Sequence, residues 1–239
     1  MTDQDARTAL DLFVLLAELK AAAWLGPIPT ILDSTESTNS DVARLAQAGA
    51  AEGSCIVAEH QSAGRGRLDR QWVSPQWAGL WMSTLVRPSD MPRSSWPWLP
   101  LLAGLATAQA IRGVAGVQAE VKWPNDLVVV DHSSRKLGGI LSEAHGDDAV
   151  VVGIGINVSM TPAELPIPTA TSITLEGGSA AREALLAAVM VNFAECLKRW
   201  RSADPQLFID YRDLCASIGR VFEVSLPDTL VVHGLVLDV

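Results

Sequence analysis

The sequence predicts an α+β fold: a mixed, largely antiparallel sheet flanked by helices. Strand-like runs at 118–123, 127–130, 137–143 and 149–157 follow one another with only short, turn-rich joins. Joins that short make antiparallel neighbours, because a parallel crossover needs a dozen or more residues. Helix-period segments lie before and after this run. The chain has 239 residues, 49% of them hydrophobic and 19% charged, which is enough for one sizeable core and excludes a disordered class.

The elements read as follows, in order. Residues 5–23 form a helix with Leu12, Leu15, Leu16 and Leu19 on one face, ended by Gly26-Pro27 and Pro29. A short strand covers 31–33. Ser37-Thr38-Asn39 then caps a helix to about Ala48. Strands at 54–59 and 81–87 flank a loop rich in glycine and arginine. Pro100 suits the first turn of a helix running to Arg112, with Gly113 and Gly116 beyond it. The meander then turns at Pro124-Asn125-Asp126, at 131–134 and at 145–148. After a loop at 162–168, Ser179 caps a helix to Trp200, and Asp204 starts another to Ser217. Beyond Gly219, 221–226 and 230–237 alternate as two strands. These readings divide the chain into a catalytic domain, 1–218, and the start of a small β domain, 219–239.

Charge and composition narrow the function. Eighteen basic against 27 acidic residues give a net charge of −9, which argues against DNA as a partner. Cys55, Cys196 and Cys215 are scattered, without metal-ligand spacing, and read as reduced buried thiols. The apolar run from Leu12 to Ala17 is too short for a membrane span. The expectation is a cytoplasmic protein without a membrane partner.

The loop from Gln61 to Trp72 carries most of the chemistry. It places Arg65, Arg67 and Arg70 beside Gly64 and Gly66 on an otherwise acidic chain. Arginine forks hold carboxylate and phosphate oxygens, and glycine lets backbone approach a ligand closely. Alone, such a loop is equally a solvated basic patch. Ser37-Thr38-Asn39 alone is a helix cap, Trp123-Pro124-Asn125-Asp126 a turn, and Gly153-Ile154-Gly155-Ile156-Asn157 a closely packed strand. Their joint order, with Lys122 before the turn and Arg135-Lys136-Leu137-Gly138-Gly139-Ile140-Leu141 after it, is far more specific than any one of them.

Across 31–159 this order resembles the biotin protein ligases. The resemblance implies a catalytic domain of the class II aminoacyl-tRNA synthetase-like type, followed by an SH3-like β domain that is truncated here. It implies ATP-dependent activation of biotin to biotinyl-5′-AMP and transfer to a lysine of a biotin carboxyl carrier domain of acyl-CoA carboxylases, with Mg2+ accompanying ATP. By resemblance, Ser37, Thr38, Asn39, Gln61, Gly64, Arg65, Gly66, Gly138 and Gly139 surround biotin. Arg67 and Lys136 are the catalytic cations and touch both biotin and ATP. Arg70, Trp72, Asn125 and Asn157 serve ATP, with Trp72 stacking on adenine, and Asp126 stands near the metal. The chain departs from the family in two ways: Asp69 replaces the usual glycine before Arg70, and only two strand-like runs follow Gly219. It also shows no room for a helix-turn-helix ahead of 31. A lipoate or octanoate ligase of the same architecture and a non-catalytic biotin sensor are the alternatives.

Overall fold

The computed structural model describes residues 7–130, 134–225 and 231–238. Helix α1 (Leu12–Ala21) leads to strand β1 (Thr30–Leu32), helix α2 (Thr38–Gln47) and strands β2 (Cys55–Ala58) and β3 (Gly79–Val86). Helix α3 (Leu99–Ala110) is followed by β4 (Ala119–Lys122), β5 (Asp126–Val130), β6 (Ser134–His145) and β7 (Ala149–Asn157). Helices α4 (Arg182–Arg201) and α5 (Pro205–Asp213) precede the strands β8 (Val221–Ser225) and β9 (Val231–Leu235). The main sheet runs β1-β2-β3-β7-β6-β5-β4. Only β1 and β2 pair in parallel; the other neighbours are antiparallel. β8 and β9 form a separate antiparallel pair.

The two faces of the main sheet have different fates. Leu80, Met82, Ile154, Ile156, Ile140 and Leu127 pack with α1, α3 and α4 into the main core. Burial of such side chains contributes about 1.5–3 kcal/mol each. On the opposite face, Ile56, Leu85 and Val151 pack under Val42 and Ala43 of α2. That short helix covers only part of its face. The uncovered part carries glycines at 139, 153 and 155, and it becomes the floor of the site.

Several boundaries differ from the expectation, each for a local reason. The first helix starts at Leu12, because Asp11 accepts hydrogen bonds from the Phe13 and Val14 N–H groups. Residues 7–10 are held outside it. The Leu10 N–H donates to Glu59, and Thr8 O accepts from Arg182 Nη2 at 2.6 Å. Glu59 and Arg182 are themselves buried and paired at 2.6 Å. Ser179 caps nothing: α4 begins at Arg182, which the Glu59 pair fixes, with Ala181 as N-cap. Asp204 does cap α5, accepting from the Gln206 N–H at 3.0 Å. That helix ends at Asp213, because Cys215 leaves it to bridge Val121 of β4. Residues 131–133 of the expected turn, and 226 and 230 of the last two strands, lie outside the described residues. All three cysteines are free and buried, and burial pushes the Cys55 and Cys196 thiols up to about 12.

Candidate active site

A cavity of about 880 Å³ opens over the glycine floor. Its geometry follows from strand register. Trp81, Gly155, Gly139 and Asp126 stand side by side across β3, β7, β6 and β5. Two residues along, and therefore on the same face, Ser83, Gly153 and Leu141 form a second row. Each glycine makes room for a particular side chain. A Cβ on Gly153 would lie 2.1 Å from Asn39 Oδ1, and one on Gly155 would lie 2.5 Å from the Trp72 indole. The Trp72 ring thus rests on the floor, 3.2 Å from a Cβ built on Gly139, with its edge toward Trp81 at a centroid separation of 6.1 Å.

The loop from Gln61 to Trp72 forms one wall. Gly66 N–H donates to Arg70 O at 2.7 Å, and Trp72 N–H donates to Gly64 O at 2.8 Å, so the loop closes on itself as a narrow hairpin. Leu68 at its tip has φ +56°, an uncommon value for a branched residue. The Asp69 side chain lies outside the described residues. Arg65 Nη2 reaches Glu143 at 2.9 Å, and Arg67 Nη1 reaches Asn125 Oδ1 at 3.2 Å. Lys136 Nζ sits 2.6 Å from Asp126 Oδ1 and 5.7 Å from the centre of the Trp72 ring. The Lys136 main chain is braced on both sides, by Thr169 O and by the Thr171 N–H.

A polar cluster forms the other end. The Thr38 N–H and hydroxyl meet Gln61 Oε1 at 2.9 and 3.1 Å, and Gln61 Nε2 meets Ser74 at 3.2 Å. The Thr38 hydroxyl is 2.7 Å from Ser83, which donates to Asn39 Oδ1 at 2.6 Å. Asn39 Nδ2 donates to Glu143 Oε2 at 2.6 Å. The cavity therefore offers fixed cations at one group of walls and hydroxyl and amide groups at another, over an apolar floor. Such a site suits an elongated ligand with a polar head and an anionic reacting end.

The profile of the Biotin/lipoate A/B protein ligase family matches residues 31–160. The biotin--[acetyl-CoA-carboxylase] ligase of Mycobacterium tuberculosis is 36% identical over 245 residues, covering 100% of this chain and 90% of that protein. The chain belongs to the biotin/lipoate A/B protein ligase family. The bifunctional ligase/repressor BirA of Bacillus subtilis is 41% identical over 57% of this chain, and the match spans 41% of that protein. Among solved structures, the biotin protein ligase from Aquifex aeolicus in complex with biotin and ATP superposes with a TM-score of 0.74 at 27% identity, covering 88% of this chain and 87% of that one.

Within this ligase fold, most of the expected site residues meet in one cavity. Ser37, Thr38, Asn39, Gln61, Arg65, Gly66, Arg67, Arg70, Trp72, Asn125, Asp126, Lys136, Gly139 and Asn157 all line it. Gly64 and Gly138 are not among the residues that line it. A Cβ on Gly64 would lie 2.6 Å from Trp72 O, and one on Gly138 would lie 2.5 Å from Gly155 O. Both glycines serve the packing of the site's own backbone. Asn157 lines the cavity with its amide donor already committed to Thr171 O at 2.9 Å. Trp81 is buried and also forms part of the wall. Ser83 and Glu143 escaped notice altogether. Ser83 lies within a strand that reads as apolar, and Glu143 at a strand end resembles any solvated acid.

Proposed function

We propose that the protein activates biotin with ATP and transfers it to a carrier protein. In the first step a biotin carboxylate oxygen attacks the α-phosphorus of ATP. The new O–P bond forms as the bond to the β-phosphate bridging oxygen breaks, and biotinyl-5′-AMP and pyrophosphate result. In the second, a lysine amine of a biotin carboxyl carrier domain attacks the acyl carbon. An amide forms, AMP leaves, and the amine loses a proton. The observation that carries this reading is one cavity joining a hydroxyl-amide cluster, Thr38 and Gln61, to the cations Arg67 and Lys136. The cluster suits a ureido head, which has N–H donors and a carbonyl acceptor. Lipoyl and octanoyl chains carry neither, so the alternative within the same fold leaves these groups without a use.

Arg67 and Lys136 draw two anions, carboxylate and phosphate, into contact and offset their repulsion. Lys136 exchanges its Asp126 partner for substrate oxygens, and Arg67 likewise leaves Asn125. Arg70 reaches the triphosphate, and the Trp72 indole offers a face to adenine. The backbone at Arg65 and Gly66 and the absence of a side chain at Gly139 shape the walls around biotin. Among the described residues no group of three or more His, Cys, Asp and Glu side chains could cage a metal. Asp126 is a carboxylate on the wall, which fits Mg2+ carried chiefly by the phosphates with one protein oxygen. When bound, Mg2+ would supply charge neutralisation at the phosphates. Among the described residues no helix is long and apolar enough to cross a membrane. The proposed setting is the cytoplasm, with acyl-CoA carboxylases as the acceptors and no DNA partner.

Biotin-dependent exchange of labelled pyrophosphate into ATP tests the first step. Arg67→Ala and Lys136→Ala should each lower it by roughly 100- to 1,000-fold, the effect of losing one charge-stabilising group. Exchange that requires lipoate or octanoate in place of biotin would refute the substrate. Tight biotin binding with no exchange would leave a sensor.

A further inference from the structure

We propose that Ser83 and Glu143 determine specificity for the substrate head by fixing the direction of a hydrogen-bond relay. With biotin as the substrate proposed above, the relay makes Thr38 an acceptor reserved for a ureido N–H. Neither residue touches the reacting end of the cavity.

The direction follows from counting protons. Asn39 Nδ2 faces the Glu143 carboxylate at 2.6 Å and Leu141 O at 3.3 Å, and both can only accept. The amide is thereby oriented, and its Oδ1 faces Ser83 at 2.6 Å. Ser83 has one hydroxyl proton and must give it to this carbonyl. The 2.7 Å contact between Ser83 and Thr38 then has a proton only if Thr38 donates it. Gln61 is oriented too: its Oε1 accepts the Thr38 backbone N–H at 2.9 Å, while Nε2 faces Ser74. The Thr38 hydroxyl thus has one proton for two acceptors, Ser83 at 2.7 Å and Gln61 Oε1 at 3.1 Å, and the shorter contact takes it. Two hydroxyl protons serve three short contacts, so the cluster is one donor short.

All donors in this arrangement point one way, from Thr38 through Ser83 and Asn39 to Glu143. A carboxylate at the end of such a chain polarises each bond before it. Arg65 Nη2 donates to the same Glu143 oxygen at 2.9 Å, which ties the loop to the relay. Ser83 is fully buried and Thr38 is nearly so, so no bulk water competes for these positions. The Thr38 oxygen, its proton turned toward Ser83, keeps a lone pair for the cavity that it lines. An incoming N–H donates to that lone pair. An oxygen in the same place meets a second acceptor and is rejected.

The test compares biotin with the two cyclic carbamate analogues in which one ureido N–H is replaced by oxygen. Pyrophosphate exchange gives KM and kcat for the wild type, Ser83→Ala and Glu143→Gln. In the wild type, one carbamate should show a KM roughly 10- to 100-fold above that of biotin, the effect of one unmade hydrogen bond in a buried site. Ser83→Ala frees the Thr38 proton, which can then be shared between Gln61 Oε1 at 3.1 Å and an oxygen of the ligand. The carbamate-to-biotin ratio should then fall at least about fivefold, with kcat for biotin within about twofold of wild type, because the cations at the reacting end are unmoved. Glu143→Gln keeps an acceptor oxygen for Asn39, should fold normally and should lower the ratio by at least about threefold. A purely structural role would shift stability, KM and kcat together and leave the ratio alone. A ratio unchanged in both variants, or no discrimination by the wild type, overturns the relay while leaving the biotin assignment intact. A wild-type protein that does not use biotin overturns both.

Discussion

Substituting Gly153 by alanine should break the site from beneath, through the side chain of Asn39. The added Cβ would stand 2.1 Å from Asn39 Oδ1 and 3.0 Å from Asn39 Cγ. Ordinary contact needs at least about 3.4 Å, so the amide must retreat by more than 1 Å. Asn39 sits in the first turn of α2, whose Val42 and Ala43 are packed against the sheet, so its backbone is held and its side chain must rotate away. A shift that large ends its bonds to Ser83 and Glu143, both 2.6 Å long. One neutral and one charge-assisted hydrogen bond contribute about 1 and 1.5–3 kcal/mol, so the expected loss is roughly 2–4 kcal/mol. For a chain of this size that corresponds to a melting temperature about 4–16 °C lower. Differential scanning calorimetry reads this directly, and pyrophosphate exchange should show a raised KM for biotin. The decisive comparison is Asn39→Ala with and without Gly153→Ala. Removing the amide removes the clash, so the double variant should be no less stable than Asn39→Ala alone. Additive losses would refute the reasoning.

Other expectations follow from the same contacts. Arg182→Met leaves Glu59 buried without its cation and should cost about 3–5 kcal/mol in urea denaturation; Glu59→Gln/Arg182→Met together should cost less than the sum of the two single variants. The Cys55 and Cys196 thiols, pushed up to about 12, should resist alkylation in the native protein at pH 8 and react at once in denaturant. Their raised folded-state values favour the protonated form, so this contribution is intact below about pH 9 and is lost as pH rises from there towards 12, which a pH series of unfolding curves should show. Trypsin should cleave the unliganded protein within 65–70, where Arg65, Arg67 and Arg70 are exposed, and biotin with ATP should protect it; cleavage indifferent to both ligands would contradict the site.

The meander from β4 to β7 was legible because it has short joins and strong alternation, as in Glu120 and Lys122 alternating with the buried Ala119 and Val121; the pairing of β3 with β7 and the parallel pairing of β1 with β2 were not. Helix ends were less so. The start of α4 depends on Arg182 meeting Glu59, 123 positions away, and no local pattern contains that pair. The site's cations were visible as an arginine cluster and a lysine beside glycines. What each glycine accommodates was not. Gly153 and Gly155 look alike in sequence, yet one clears space for an amide and the other for an indole. Ser83 and Glu143 stayed hidden for a related reason. Their roles come from cross-strand register and from the proton count of a cluster assembled from four distant segments.

The resting place of Trp72 gives the protein an optical reporter of its own. The indole lies half-buried on the floor, and its Nε1 finds no hydrogen-bond partner among the described residues. A ligand that spreads over Gly139 and Gly155 must lift this ring away, and the missing hydrogen bond lowers the cost of doing so. The ring's emission therefore changes in colour and intensity as the floor changes hands. Titrating biotin, then ATP, while recording tryptophan fluorescence would reveal in which order the two ligands claim the surface, with no label attached.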